Sequence, residues 1–145
     1  MDEVSDQLPV STRLRASVLA AALVFVAACA PSGSGTTYKI ATATARSDFM
    51  NLARTEGVLN GQTNIDGTAC FWLGQVTAGL ALSWPYGYSA RDDPLAVYDD
   101  SGTRVAAAGQ RVVMAGGMMG DSVHSITGCS GFTQLWGVGR VDEAN

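Results

Sequence analysis

The chain has 145 residues, enough for one domain, and only 15% of them are charged against 47% hydrophobic, below the roughly 25% charged of an average soluble domain. A net charge of −4 lacks the basic footprint that neutralises phosphates, which argues against nucleic acid as a partner. Glycine is abundant, at 17 residues, which suits short strands joined by tight turns.

The first element is a secretory signal. Arg13 and Arg15 precede an uncharged run from Ala16 to Ala28 that ends at Cys29. A positive flank, a short apolar stretch and small residues at the cut are the layout of a cleaved signal. The run is too short for a transmembrane helix, which needs about 20 apolar residues. Val26-Ala27-Ala28-Cys29 resembles the bacterial lipobox: an aliphatic residue, two small ones, then the cysteine that is modified. By that resemblance the Cys29 thiol takes a diacylglyceryl group, cleavage falls before Cys29, and the new amino terminus is open to acylation. Each buried methylene adds about 0.8 kcal/mol, so two or three chains hold where one does not. Asp2, Glu3 and Asp6 are unusual ahead of a signal. A start at Val10 would give a more typical leader, Val10-Ser11-Thr12-Arg13-Leu14-Arg15.

A tether follows. Ala30-Pro31-Ser32-Gly33-Ser34-Gly35-Thr36-Thr37 is small, polar and Gly/Ser-rich, the composition of a flexible linker. The expected organisation is therefore a signal peptide over residues 1–28, lipidated Cys29 with its linker over 29–37, and a small domain over 38–145. With Cys29 lipidated, Cys70 and Cys129 remain as an even pair in an oxidising compartment, and the simplest pairing is one disulfide. Two metal-ligating or redox thiols are the alternative, without a CxxC pattern to support them.

From Thr36 onward the chain reads as strands. Tyr38 to Thr44 is rich in β-branched residues; Ser47 to Arg54 offers a single helix, with Ser47 as cap, Phe49, Leu52 and Ala53 on one face and Gly57 as stop. Gly57 to Gly61 is a short strand ending on a turn signal. Cys70 to Val76 holds Phe71, Trp72 and Leu73. In Leu80-Ala81-Leu82-Ser83-Trp84 the large apolar residues recur at every second position, as a half-buried strand requires. Leu95 to Tyr98 is followed by hairpin-turn chemistry at Asp99-Asp100-Ser101-Gly102 and by a return over Thr103 to Ala106. Gln110 to Met114 and Gln134 to Val138 complete the set. Seven or eight short strands at roughly ten-residue spacing predict an all-β barrel or sandwich.

Several segments together resemble a group of small, uncharacterised actinobacterial lipoproteins with an OB-like β-barrel. They are Glu56 to Leu59, Gly67 to Leu73, Leu82 to Ala90, Asp100 to Ala106, and Gly109 to Val112 leading to Gly116-Gly117. The likeness runs from about Glu56 to Val141 and lies in turns and buried aromatics. It implies a small OB-like barrel of short strands and carries no activity.

Groups that could do chemistry are few. His124 is the only histidine, and Asp121-Ser122-Val123-His124-Ser125 places serine, histidine and aspartate on one loop. A triad is assembled from separate elements around an oxyanion hole, so a loop-based hydrolase is the third reading. Met118, Met119 and His124 combine thioethers with imidazole, a donor set that suits Cu(I); a copper- or other metal-handling lipoprotein is the second reading, although Met114 ends an apolar strand where methionine is ordinary filler. Gly116-Gly117-Met118-Met119-Gly120 lacks the lysine and serine of a phosphate loop and reads as a flexible connection between strands. Asp92-Asp93 and Asp99-Asp100 do not follow calcium-loop spacing.

The remaining feature is Trp84-Pro85-Tyr86-Gly87-Tyr88, with Arg91 nearby. Aromatic faces stack on sugars or partner side chains and a guanidinium adds a hydrogen-bonding fork. Trp84 continues the inward alternation and belongs to the core, which leaves Tyr86, Tyr88 and Arg91 as ligand-binding candidates. The expected protein is a non-enzymatic binding or envelope module without a cofactor. It would sit on the outer face of the bacterial cell membrane, with the membrane, another envelope protein or a glycan as partner.

Overall fold

The computed structural model describes residues 35–46, 53–75, 78–120 and 126–145. The signal segment, Cys29, most of the linker and the Asp121–Ser125 loop lie outside the described residues. Strands β1 (Thr37–Tyr38), β2 (Ala53–Thr63), β3 (Ala69–Leu73), β4 (Leu80–Ser83), β5 (Ser89–Arg91), β6 (Ala96–Tyr98), β7 (Arg104–Ala107), β8 (Arg111–Met119) and β9 (Gln134–Ala144) make an all-β molecule.

Five strands close into a barrel in the order β2-β3-β4-β9-β8. The β2-β3-β4 meander and the β9-β8 and β8-β2 pairs are antiparallel, and β4 runs parallel to β9, with Leu80 opposite Gln134. A closed five-stranded barrel with this crossover is the OB-like architecture. Closure removes the unpaired strand edges that would otherwise template aggregation. The remaining strands form a small sheet, β1-β5-β6-β7, contributed mainly by the segment between β4 and β8.

Side-chain alternation sorts the barrel strands between two cores. Ala69, Phe71 and Leu73 of β3, Leu82 of β4, Trp84, and Trp136 and Val138 of β9 fill the main cluster with Leu59, Val112 and Met114. The small sheet shares that core through Ala90, Val97 and Ala106. Phe71 meets Trp84 edge to face at 6.0 Å, an arrangement favoured by the ring quadrupoles. Cys70 and Trp72 point to the other side of β3. There they join Ala81, Cys129, Phe132 and Leu135 in a second cluster. Trp72 and Phe132 lie 5.5 Å apart, and Cys70 is bonded to Cys129. All five residues of β3 are buried in consequence, because the 126–133 loop covers the outer face of β3 and β4.

Several expectations are corrected. Ala53 and Arg54, read as the end of a helix, begin strand β2, and Gly57 continues that strand opposite Val112; residues 47–52 lie outside the described residues. The run from Tyr38 to Thr44 is a strand only at its start. Past Tyr38 it makes two isolated bridges, Lys39 beside Thr68 just before β3 and Thr42 beside Trp84 just after β4, both in parallel sense. Thr37, assigned to the linker, is in β1, and Gly35 already packs against Asp92. Gly116 and Gly117 belong to β8, where they pair with Val138 and Gly137. At Gly116 the neighbouring strand comes too close for a side chain: a Cβ there would overlap the Gly137 carbonyl oxygen and lie 2.6 Å from Trp136 Nε1.

Two turns are built as their sequences dictate. Asp99 Oδ1 accepts from the amides of Ser101 and Thr103 and from the Ser101 hydroxyl, and Gly102 takes a φ of 84°. The Ser101 and Thr103 hydrogen bonds hold the Asp99 carboxyl below its ordinary pKa. Asn64-Ile65-Asp66-Gly67 closes the β2–β3 connection, with the Gly67 amide donating to the Asn64 carbonyl at 3.2 Å and Asp66 accepting from the amide and hydroxyl of Thr68.

Candidate functional site

The loop from Trp84 to Tyr88 leaves β4 and turns into β5. Trp84 is 1% exposed and belongs to the barrel core, so its strand sets where the loop starts. The Tyr88 amide donates to the Pro85 carbonyl at 3.3 Å, closing a turn. Gly87 takes a φ of 88° at that turn, and a side chain there would press on Asp100, its Cβ 2.9 Å from the Asp100 Cβ. The loop therefore rests on the Asp99–Gly102 hairpin tip, which Arg46 also reaches through an exposed ion pair with Asp100.

The three candidate contact residues fare differently. Tyr88 stacks on Trp84, centroids 6.4 Å apart and planes 20° off parallel. Its half-buried position, with Asp99 and Asp100 nearby, pushes the phenol pKa above its ordinary value and keeps the hydroxyl protonated. Arg91 lies 4.5 Å above the Tyr98 ring, with a guanidinium nitrogen directed toward Gly102. Tyr86 stays open at 49% exposure. The structure thus brings the loop and the hairpin tip together at the Ser89 end of the small sheet, and the Arg91 side chain reaches back toward them over Tyr98, so that Tyr88 and Arg91 pack within the site. Tyr86 is the aromatic ring presented to solvent.

Elsewhere the predicted groups do not converge. Met118 and Met119 are adjacent on β8, and successive strand residues point to opposite faces. Met119 lies against Gly137, whereas Met118 is 53% exposed, so β8 does not bring the two thioethers to one site. Their proposed partner His124 lies outside the described residues, as do Asp121, Ser122 and Ser125. Among the described residues no three of His, Cys, Asp and Glu are grouped to hold a metal ion. Met114 is core, as expected.

A cleft of about 610 Å³ lies between Asn64 and Asp66 on one side and the Ile126–Thr133 loop on the other. Two of its polar side chains already serve the fold: Asn64 Nδ2 donates to Thr68 Oγ1 and to the Gly128 carbonyl, both at 2.9 Å, and Asp66 accepts from Thr68.

No protein-family model, curated protein or solved structure matches the chain.

The site rests accordingly on its own geometry. Sequence reasoning found Tyr86 by its neighbours and missed Ile65, which projects from the Asn64–Gly67 turn at 110% of reference exposure. The available signal was an aliphatic residue inside an Asn-x-Asp-Gly turn, where glycine, proline or small polar residues are the usual occupants.

Proposed function

We propose that the chain is an exported lipoprotein, anchored through Cys29 to the outer face of a bacterial cell membrane. Its barrel domain acts as a non-enzymatic binding module with Tyr86 at the contact end. The observation that carries this reading is Tyr86 itself, an exposed aromatic on a turn held by the Tyr88–Trp84 stack and by Gly87 against Asp100. A ring presented on a rigid base gains contact area at low ordering cost, the quality that makes aromatic hot spots. The lipobox-like Val26-Ala27-Ala28-Cys29 supports the anchor. The Cys70–Cys129 disulfide supports export, because such bonds persist in oxidising compartments. The partner class is another envelope protein or a glycan, either of which an aromatic face recognises.

Two measurements test the two halves. Mass spectrometry of protein extracted from membranes is expected to find an N-terminal peptide beginning at diacylated Cys29; an unmodified Cys29 retained behind an uncleaved leader would end the anchor reading. Tyr86→Ala is expected to weaken capture of a solubilised envelope component by about tenfold or more, the scale of a hot-spot aromatic. The melting temperature should hold, since an exposed side chain on a turn is removed. Undiminished capture by Tyr86→Ala would remove Tyr86 from the contact surface.

A further inference from the structure

We infer that the Asn64–Gly67 turn rests on the lipid surface, with Ile65 inserted among the headgroups and upper acyl chains; the inference depends on the anchor at Cys29 proposed above. Ile65 is more exposed than any other large hydrophobic side chain among the described residues, and nothing in the fold requires it there. The turn is closed by hydrogen bonds among Asn64, Asp66, Gly67 and Thr68, none of which involves the Ile65 side chain. The tip is also tied to the body of the domain through Asn64 and the Gly128 carbonyl. It is therefore an apolar point on a fixed support.

The course of the chain places this point on the side from which the anchor arrives. Lys39 bridges Thr68 in parallel sense, its amide donating to the Gly67 carbonyl and its carbonyl accepting from the Ala69 amide. The segment entering the domain thus runs alongside the start of β3 in the same direction. Gly35 and Thr36, upstream of Lys39, lie toward the end of the barrel where the 64–67 turn projects. Gly35 is pinned there, packed against Asp92, whose amide donates to the Thr36 carbonyl. Between Cys29 and Gly35 even a fully extended chain spans only about 20 Å. The anchor accordingly holds this end of the barrel at the bilayer, within reach of the interface into which apolar side chains insert about 5–10 Å. Tyr86 and the Asp99–Gly102 tip occupy the opposite end of the small sheet, since β5 runs from Ser89 near that tip to Arg91 beside Thr37. Lys39 and Asp66 both flank the tip, so contact depends on the apolar side chain rather than on net charge.

The test uses the full lipidated protein reconstituted in phosphatidylcholine vesicles with brominated acyl chains, which quench tryptophan only at close range. Trp72, Trp84 and Trp136 are buried and provide a constant background. In Ile65→Trp the added emission is expected to fall by about half in brominated relative to plain vesicles, as for a ring at the interface. In Ser101→Trp, at the opposite tip, it should change little. Equal quenching should persist when anionic lipid is added. If the protein floats with the vesicles yet Ile65→Trp is quenched no more than Ser101→Trp, the docking is overturned and the anchor stands. If the protein does not float, the anchor itself fails, and the docking with it.

Discussion

Replacing Cys70 and Cys129 together by alanine is expected to lower unfolding stability by about 4 kcal/mol, measured by denaturant titration. The bridge joins residues separated by 59 positions. In the chain-entropy model a closed loop of that size restricts the unfolded ensemble by roughly that amount. It also closes over the β3–β4 face, where Phe132 meets Trp72 and Leu135 packs beside Ala81. Without the bond, the 126–133 loop retains that apolar contact and the Asn64 hydrogen bond to Gly128, which together must hold a longer free segment in place. For a domain whose total stability lies in the range of about 5–15 kcal/mol, that loss is about a quarter to four-fifths of the whole. Reductant should move the wild-type protein toward the same midpoint. A midpoint unchanged by both treatments would show that the loop is held by packing alone.

Gly116→Ala should be nearly as damaging for a different reason. The substitution puts a methyl group into the Gly137 carbonyl and under the Trp136 indole, where β8 and β9 pair across a register shift between Ala115 and Gly116. Overpacking of this kind costs about 3 kcal/mol when backbone must move, a fall of roughly 15 °C in melting temperature for a domain near 100 residues. Gly109→Ala is the control: φ there is 90°, so the new residue is strained, but its Cβ meets nothing within 4 Å. That variant should lose only about 1–2 kcal/mol. Equal losses at the two positions would mean that backbone strain, and not the closeness of β9, sets the effect at Gly116.

Local pattern announces the structure where large apolar residues alternate along a strand, even in β4, whose outer face is buried as well, or where a turn has its own chemistry. Leu80, Leu82 and Trp84 alternate inward as read, and Asp99-Asp100-Ser101-Gly102 closes the β6–β7 hairpin. It fails where neighbours supply the reason. Ala53, Arg54 and Glu56 are polar or small and largely exposed, so nothing local distinguishes a long barrel strand from a helix end. Strand β5 was hidden in the aromatic loop because three residues, Ser89 to Arg91, carry too short a pattern to declare themselves. Gly116 and Gly117 have the composition of a flexible connection, and only their pairing with Val138 and Gly137 makes them strand.

The candidate site divides along the same line. Composition and alternation by themselves determined an all-β domain, an inward Trp84, an aromatic loop after it, and a cysteine pair suited to one bridge, because each depends on side chains within a few positions or on a simple count. The tertiary structure decided that Tyr88 and Arg91 are spent on Trp84 and Tyr98, that Tyr86 is presented, that Met118 and Met119 face apart, and that β4 runs beside β9 to close the barrel. Those outcomes depend on which strands meet and on which face of each is covered. Such pairings join residues tens of positions apart, and no local period in the chain records them.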